Sequence, residues 1–327
     1  MNKKIVVTGS SGFIGYNLTY KLLQDGNEVI GIDSLNNAYD KRFKELRLNN
    51  LKEFKNFTQL NLKLYEEKNY SLLKNYMKNV DTIFHLAARA GVRQSFIEPK
   101  PYVFDNTLST LLIANLAKDV EIKNLILAST SSIYGNSGNQ MMEENKDEKI
   151  EPPSIYASTK LAGEVLAKNL LEDSLTNLII TRFFTVYGPY GRPDMSILRF
   201  IHWILEGHPV ILYGDGKQSR SFTYVADVVE LLELTLDINK NLTLNVGNNK
   251  TTKLIEIINL IESITEKKAK IDFQERAYKD PDVVLPNLNL VKKVANWTPN
   301  TTIDIGLEKT IKWYLQHRGE IKNLRYL

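Results

Sequence analysis

The chain is 327 residues long, 43% apolar and 24% charged, with a formal net charge of +4 at neutral pH. A globular protein of that length buries one large core or a core plus a smaller lobe, so about two domains of unequal size are expected. With no cysteine, disulfides, thiolate zinc sites and thiol nucleophiles are excluded and a reducing compartment suits the chain, while the mild, dispersed positive charge argues for a small anionic ligand over nucleic acid.

The first residues, Met1-Asn2-Lys3-Lys4, run straight into Ile5-Val6-Val7, an apolar stretch too short for a secretion signal or a membrane span. The N-terminus is therefore expected to be part of the fold, and the cytoplasm is the expected location. Lys4–Thr8 reads as a buried strand that leads into Thr8-Gly9-Ser10-Ser11-Gly12-Phe13-Ile14-Gly15, after which Phe13, Ile14, Leu18, Leu22 and Leu23 form the apolar stripe of a helix. A glycine-rich turn alone is a weak signal, but between a strand and a helix it aims backbone N–H groups at an incoming pyrophosphate. A side chain at Gly9 or Gly12 would block that approach, and Gly15 opens the helix. The next strand, Glu28–Asp33, ends on a carboxylate that can accept from an adenosine ribose and repel a 2′-phosphate, which favours NAD over NADP. Asp33 also reads as an ordinary strand-end cap.

Further strands are expected at Phe57–Asn61, Asp81–Leu86, Lys123–Ser129 and Leu178–Arg182. They alternate with amphipathic stretches, the pattern of an α/β fold with a doubly wound parallel sheet. Gly188-Pro189-Tyr190-Gly191-Arg192-Pro193 is a breaker cluster that sets a domain boundary near residue 187. Residues 1–187 then form a dinucleotide-binding domain, and 188–220 with 247–327 a smaller, interleaved α/β lobe for the substrate. Phe222–Val229 and Leu242–Val246 are expected to return to the sheet.

Tyr156-Ala157-Ser158-Thr159-Lys160 places a phenol and an ammonium one helical turn apart, the spacing of a general base and the cation that lowers its pKa. The same spacing occurs at Tyr70…Lys74 and Tyr213…Lys217, but only Tyr156 and Lys160 open the helix after the fifth strand. Ligands of such sheets bind at that carboxyl edge. The fifth strand delivers Ser129-Thr130-Ser131-Ser132 to the same place. Standing alone the run is as readily a polar loop; beside Tyr156, the Thr130 hydroxyl can bond the substrate oxygen whose proton the tyrosine removes. His85, His202, His208 and His317 lack metal-ligand company and are expected to be structural, with no metal bound.

The glycine pattern, the hydroxyl run and Tyr156…Lys160 together resemble the extended short-chain dehydrogenase/reductase family over essentially the whole chain. Within it, three stretches are most similar to nucleotide-sugar epimerases, the UDP-glucuronate 4-epimerases in particular. They are His85-Leu86-Ala87-Ala88-Arg89-Ala90-Gly91-Val92-Arg93-Gln94-Ser95; Arg182-Phe183-Phe184-Thr185-Val186-Tyr187-Gly188-Pro189-Tyr190-Gly191-Arg192-Pro193-Asp194-Met195; and Tyr213-Gly214-Asp215-Gly216 through Arg220-Ser221-Phe222-Thr223-Tyr224-Val225. The resemblance implies a retained NAD on Gly9, Gly12, Phe13, Ile14, Gly15 and Asp33, with Leu86, Ala87 and Ala88 beside it and Asn61-Leu62 at the adenine. It implies an isomerase: Tyr156 takes the C4 hydroxyl proton as hydride leaves that carbon, and the resulting 4-keto sugar turns over and is reduced on its other face. It also implies a homodimer through the helices around Lys100–Lys118 and Ile155–Leu171.

The residues beside the catalytic hydroxyl set the fate of the keto sugar after this shared first step. The family's 4,6-dehydratases carry a Thr-Asp-Glu run and its UDP-glucuronate decarboxylases Thr-Ser-Glu, whereas this chain has Thr130-Ser131-Ser132. A 4-keto uronic acid loses carbon dioxide once its carboxylate turns perpendicular to the ketone, so a retaining site must hold that group still. Ser131, Ser132 and Thr185 are small donors able to do so, and Arg192 or Arg93 can add charge; Arg93 reads equally as a surface or pyrophosphate contact and Arg192 as a turn residue. Tyr213 and Arg220 match nucleotide-binding positions of the family, and either Arg276 or Lys279 stands near its second diphosphate arginine. UDP-glucose or UDP-N-acetylglucosamine is the alternative substrate, and a decarboxylase or a non-catalytic NAD-binding sensor is a more remote reading.

Overall fold

The computed structural model describes residues 2–135, 140–144, 151–275 and 283–326. In chain order it runs β1 (Lys4–Thr8), α1 (Phe13–Gln24), β2 (Glu28–Asp33), α2 (Arg42–Leu51), β3 (Phe57–Asn61), α3 (Tyr70–Tyr76) and β4 (Thr82–His85). A broken helical segment comes after β4: α4 (Val92–Ile97), α5 (Pro99–Tyr102), a π-helical turn at Val103–Leu108 and α6 (Ser109–Asp119). Next come β5 (Asn124–Thr130), α7 (Ile155–Leu171), β6 (Asn177–Phe183), β7 (Thr185–Tyr187), α8 (Ser196–Glu206), β8 (Val210–Tyr213), β9 (Ser219–Arg220), β10 (Phe222–Tyr224), α9 (Val225–Leu234) and β11 (Leu242–Val246). The chain closes with β12 (Thr252–Lys253), α10 (Leu254–Thr265), β13 (Ile271–Gln274), β14 (Val283–Val284), α11 (Asn289–Ala295) and α12 (Ile303–Ile321).

The central sheet has seven strands in the order β11-β6-β5-β4-β1-β2-β3, and every pairing is parallel. Its inner strands are buried because helices cover both faces; all seven residues of β5 are buried, whereas the edge strand β3 is half-exposed. One face packs on α1 and α9 through Leu18, Leu22, Val228 and Leu232, and the other on α3, α6 and α7 through Leu73, Ile113, Leu116 and Leu171. A third core, built from α8, α10 and α12, forms the lobe beside the sheet. Strand order reverses between β1 and β4, which opens a crevice at the carboxyl edge.

Leu242–Val246 joins the sheet beside β6, but Phe222–Val229 does not return to it. Phe222–Tyr224 pairs instead with Thr185–Tyr187, and Val225 begins a helix. The reason lies in spacing: Val225, Val228, Val229 and Leu232 fall on one helical face and bury together, so periodicity overrides the strand preference of valine. Among the described residues, no helix is long and apolar enough to cross a membrane.

Candidate active site

At the end of β1 the chain turns through Gly9, whose φ of +72° is the left-handed region open to glycine. A Cβ on Gly9 would lie 2.8 Å from the Ala87 amide nitrogen, and one on Gly15 would lie 2.1 Å from the Gly9 carbonyl oxygen. Both absences let the loop, the end of β4 and the start of α1 close on one another. Gly12 is the N-cap of α1 and supplies no capping side chain, so the first turn presents Phe13, Ile14 and Gly15 to the crevice with its positive dipole end uncovered.

Asp33 ends β2 buried, accepting from the Ser11 amide at 3.2 Å and the Leu35 amide at 2.8 Å. Lys44 Nζ, also buried, stands 3.6 Å from its carboxylate and donates to Asn36 at 2.9 Å. Asp33 is thus both a loop cap and a cleft-lining acceptor. Lys44 has no signal in the sequence beyond its place on an amphipathic helix.

These groups share a cleft of about 400 Å³, within the range of small-ligand sites. Gly9, Gly12, Phe13, Ile14, Gly15, Asp33, Leu62, Leu86, Ala87 and Ala88 line it together with Thr130, Ser131, Ser132, Tyr156, Lys160, Thr185 and Arg192. Four expected residues lie elsewhere. Asn61 is outside the lining, its Oδ1 accepting from the Gln59 amide at 3.1 Å, because the β3 edge is exposed and side chains pair along the strand. Arg93 lies 3.9 Å from the centroid of the Tyr213 ring, so these two meet as a cation–π pair beyond the lining. Arg220 sits on β9 and donates to the Ser219 carbonyl at 2.8 Å. Arg276 and Lys279 lie outside the described residues.

Ser154 caps α7 by accepting from the Ala157 amide at 3.1 Å, which starts the helix so that Tyr156, Lys160 and Glu164 stand at successive turns of one face. The Thr130 hydroxyl accepts from the Ser132 amide at 3.1 Å and lines the cleft with the Tyr156 phenol. Burial raises the Tyr156 pKa, while the Thr130 hydroxyl and the Arg192 charge oppose it. Arg192 is therefore the cation whose charge acts on the phenol, which the tyrosine–lysine spacing does not reveal, and Lys160 is not among the groups that shift it. It donates through Nε to Asp194 Oδ1 at 2.9 Å and through Nη2 to Oδ2.

Lys160 is buried, and burial lowers its pKa to about 8 against the opposing charge of Glu164. Among the described residues its ammonium makes no hydrogen bond or ion pair, so it faces the cleft as a donor set suited to hydroxyl oxygens. A glycine cradle, an uncapped helix terminus, a buried carboxylate and an ammonium open to the cleft, all along one crevice, fit a dinucleotide.

Beneath the site, Glu164 accepts from Ser129 Oγ and takes two hydrogen bonds from Arg182, through Nε at 3.1 Å and Nη2 at 2.8 Å. Its place one turn after Lys160 is the signal that could have found it. His85 is fully buried with Nδ1 2.8 Å from Thr8 Oγ1 and Nε2 3.1 Å from Thr110 Oγ1, and burial lowers its pKa to about 3. Thr110 donates onward to the Asn106 carbonyl at 2.6 Å, so Nε2 carries the proton and the ring is a neutral strut.

Comparison with known proteins agrees with this geometry. The chain is 39% identical over 324 residues to the UDP-glucuronate 4-epimerase of Thermodesulfobacterium geofontis, covering 98% of each. The UDP-glucuronic acid 4-epimerase of Bacillus cereus, solved with UDP-glucuronic acid and NAD, superposes with a TM-score of 0.89 at 31% identity, covering 96% of this chain and 99% of that one. The UDP-N-acetylglucosamine 4-epimerase of Methanobrevibacter ruminantium gives 0.87 at 28% identity over 97% and 99%. The profile of the NAD dependent epimerase/dehydratase family matches residues 5–247, and the chain belongs to that family.

Proposed function

We propose that this chain inverts carbon four of a UDP-sugar as an NAD-dependent isomerase, interconverting UDP-glucuronate and UDP-galacturonate. The observation that carries this reading is the convergence, in one cleft, of Thr130 and Tyr156, the ammonium of Lys160 and the hydroxyls of Ser131, Ser132 and Thr185. Ser132 stands where the dehydratases and decarboxylases carry an acid two residues after the threonine, which disfavours dehydration and decarboxylation.

Bound along the glycine loop, NAD supplies a reversible hydride acceptor. Gly9, Gly12 and the first turn of α1 would hold its pyrophosphate, Asp33 its adenosine ribose and Leu62 its adenine, with Leu86, Ala87 and Ala88 forming the wall beside it. Tyr156 takes the C4 hydroxyl proton and later returns it, Thr130 holds the same oxygen, and Lys160 stabilises the phenolate. Ser131, Ser132, Thr185 and Arg192 keep the sugar carboxylate in the plane of the keto group, where carbon dioxide is not lost. Arg93 stacked on Tyr213, with Arg220 and one of Arg276 or Lys279, serves the uridine diphosphate end.

The glucuronate epimerases of Thermodesulfobacterium and Bacillus favour the uronic acid. The likeness to an N-acetylglucosamine epimerase keeps UDP-N-acetylglucosamine and UDP-glucose as alternatives. The NAD-binding domain comprises residues 1–187 with about 221–246, and the substrate lobe the remainder. Exposed Val103, Leu108 and Val165, on the π-helical turn and α7, support a homodimer that buries them together. The lack of cysteine accords with a cytoplasmic setting.

The test is incubation with UDP-glucuronate, UDP-glucose and UDP-N-acetylglucosamine, with chromatography of the products. UDP-galacturonate from the first is expected. Conversion of a neutral sugar alone selects the alternative, a UDP-pentose marks a decarboxylase, and no conversion of any substrate rejects the enzyme reading.

A further inference from the structure

α2 carries a guanidinium into the interior with no carboxylate partner among the described residues. Arg47 is 0% exposed, and each of its hydrogen bonds ends on an uncharged oxygen. Nε and Nη2 donate to the Tyr190 carbonyl at 3.0 and 2.8 Å, and Nη2 also to the Gly191 carbonyl at 2.8 Å. Nη1 donates to the Ser11 carbonyl at 3.1 Å and to the Tyr39 hydroxyl at 2.7 Å. A buried cation held only by neutral acceptors is costly, and an apolar side chain would fill the same space more cheaply. What the guanidinium adds is a rigid planar fork that fixes several carbonyls relative to one another.

The carbonyls it joins belong to two segments that border the cleft, each next in sequence to residues that line it. Ser11 lies in the glycine loop, between Gly9 and Gly12. Tyr190 and Gly191 are the two residues before Arg192, which lines the sugar side and whose charge reaches the Tyr156 phenol. That turn needs restraint, because Tyr190 has a φ of +58°, a left-handed conformation unfavourable for an aromatic residue. Tyr39 is the third party: Lys44, Arg47 and Arg192 lie 5.4, 5.7 and 5.6 Å from its ring centroid.

We propose that Arg47 is a positioning residue that couples cofactor to substrate, locking the strained Tyr190-Gly191 turn, and Arg192 after it, onto the Ser11 carbonyl of the glycine loop. The proposal rests on the reading of that loop as the NAD site and of Arg192 as a sugar contact. Without the fork the turn relaxes, Arg192 leaves its place, and the glycine loop loses a restraint that keeps it closed on the dinucleotide.

The experiment compares wild type with Arg47→Lys and Arg47→Met in the full chain, measuring circular dichroism, NAD released per protomer after gel filtration, and kcat and KM for UDP-glucuronate. Lysine keeps the charge and the stem but has no fork, so both variants are expected to raise KM at least tenfold with a smaller change in kcat, and to lose NAD on the column. Should Arg47→Met fail to fold, Arg47→Lys carries the test alone. A folded Arg47→Lys protein with wild-type KM and NAD content overturns the proposal, as does a fall in kcat with KM and NAD unchanged. If wild type converts no UDP-sugar, the functional reading fails by itself, and NAD retention still decides the clamp.

Discussion

Replacing Glu164 by glutamine removes one charge from the network beneath the active site without changing its volume. Three donors converge on this carboxylate, Ser129 Oγ and Arg182 Nε on one oxygen and Arg182 Nη2 on the other. An amide has one acceptor oxygen, so in either orientation its NH2 group must face a donor. Arg182 and Glu164 side chains are 3% and 1% exposed, which leaves water no route to compensate. Breaking such a buried pair costs about 3–5 kcal/mol. Unfolding entropy of about 2.1 cal/mol/K per residue gives roughly 0.7 kcal/mol/K for 327 residues, so Tm is expected to fall by about 4–7 °C. The same substitution withdraws the charge that opposes the burial of Lys160, so its pKa moves further below about 8 and the alkaline limb of turnover shifts to lower pH. Thermal denaturation and a pH–rate profile measure the two effects. A variant melting within about 1 °C of wild type would refute the argument that this pair is a stabilising element.

Tyr156→Phe deletes one hydroxyl from a packed ring and is expected to lower turnover by about 10²- to 10⁴-fold while NAD stays bound; wild-type activity would remove the tyrosine from the reaction. His85 stays neutral in the fold down to about 3, so the unfolded chain binds its proton first and stability falls as pH drops from about 6.5 toward that value, by at most about 1.4 kcal/mol per pH unit. Urea denaturation at pH 7 and pH 4.5 should show a shallower loss for His85→Gln, and equal losses would contradict the assignment. Ser132→Glu places a carboxylate on the sugar side of the cleft, so KM for UDP-glucuronate should rise about tenfold or more and KM for UDP-glucose much less; equal effects would place the sugar carboxylate elsewhere.

The parallel sheet is legible because its inner strands, buried on both faces, carry apolar runs such as Ile5-Val6-Val7 and Leu125-Ile126-Leu127, while the half-exposed edge strand Phe57–Asn61, like Lys4–Thr8 and Glu28–Asp33, begins and ends where the sequence places it. The cofactor loop is legible for a different reason: steric demands at Gly9 and Gly15 leave no other residue type, and those demands are local. Phe222–Val229 misleads because valine favours strands while its spacing favours a helix. Contacts between distant parts of the chain leave no mark at all. Arg47 reaches a carbonyl 143 residues away, and nothing on an amphipathic helix says which oxygen an arginine will meet. Asn61 likewise sits at the expected strand end, but the direction of its amide is decided by Gln59 beside it.

The sugar side of the cleft bears on substrate choice through its charge balance. Arg192 commits Nε and Nη2 to Asp194, so its fork is not open for a two-point grip on a carboxylate. Taken together the pair is neutral, and its pull on a distant anion is weak, although the nearby Tyr156 phenol still feels the guanidinium. A uronate would then be met chiefly by the hydroxyls of Ser131, Ser132 and Thr185, each of which can donate or accept. Such groups can fix the plane of a carboxylate, which suppresses decarboxylation, and can also bond a neutral hydroxymethyl group. Preference for the acid then rests on the extra strength of hydrogen bonds to a charged acceptor, about 1–1.5 kcal/mol each beyond a neutral one, or roughly five- to tenfold in kcat/KM per bond. The geometry that keeps the carboxylate on the sugar is therefore one that discriminates by degree rather than by exclusion.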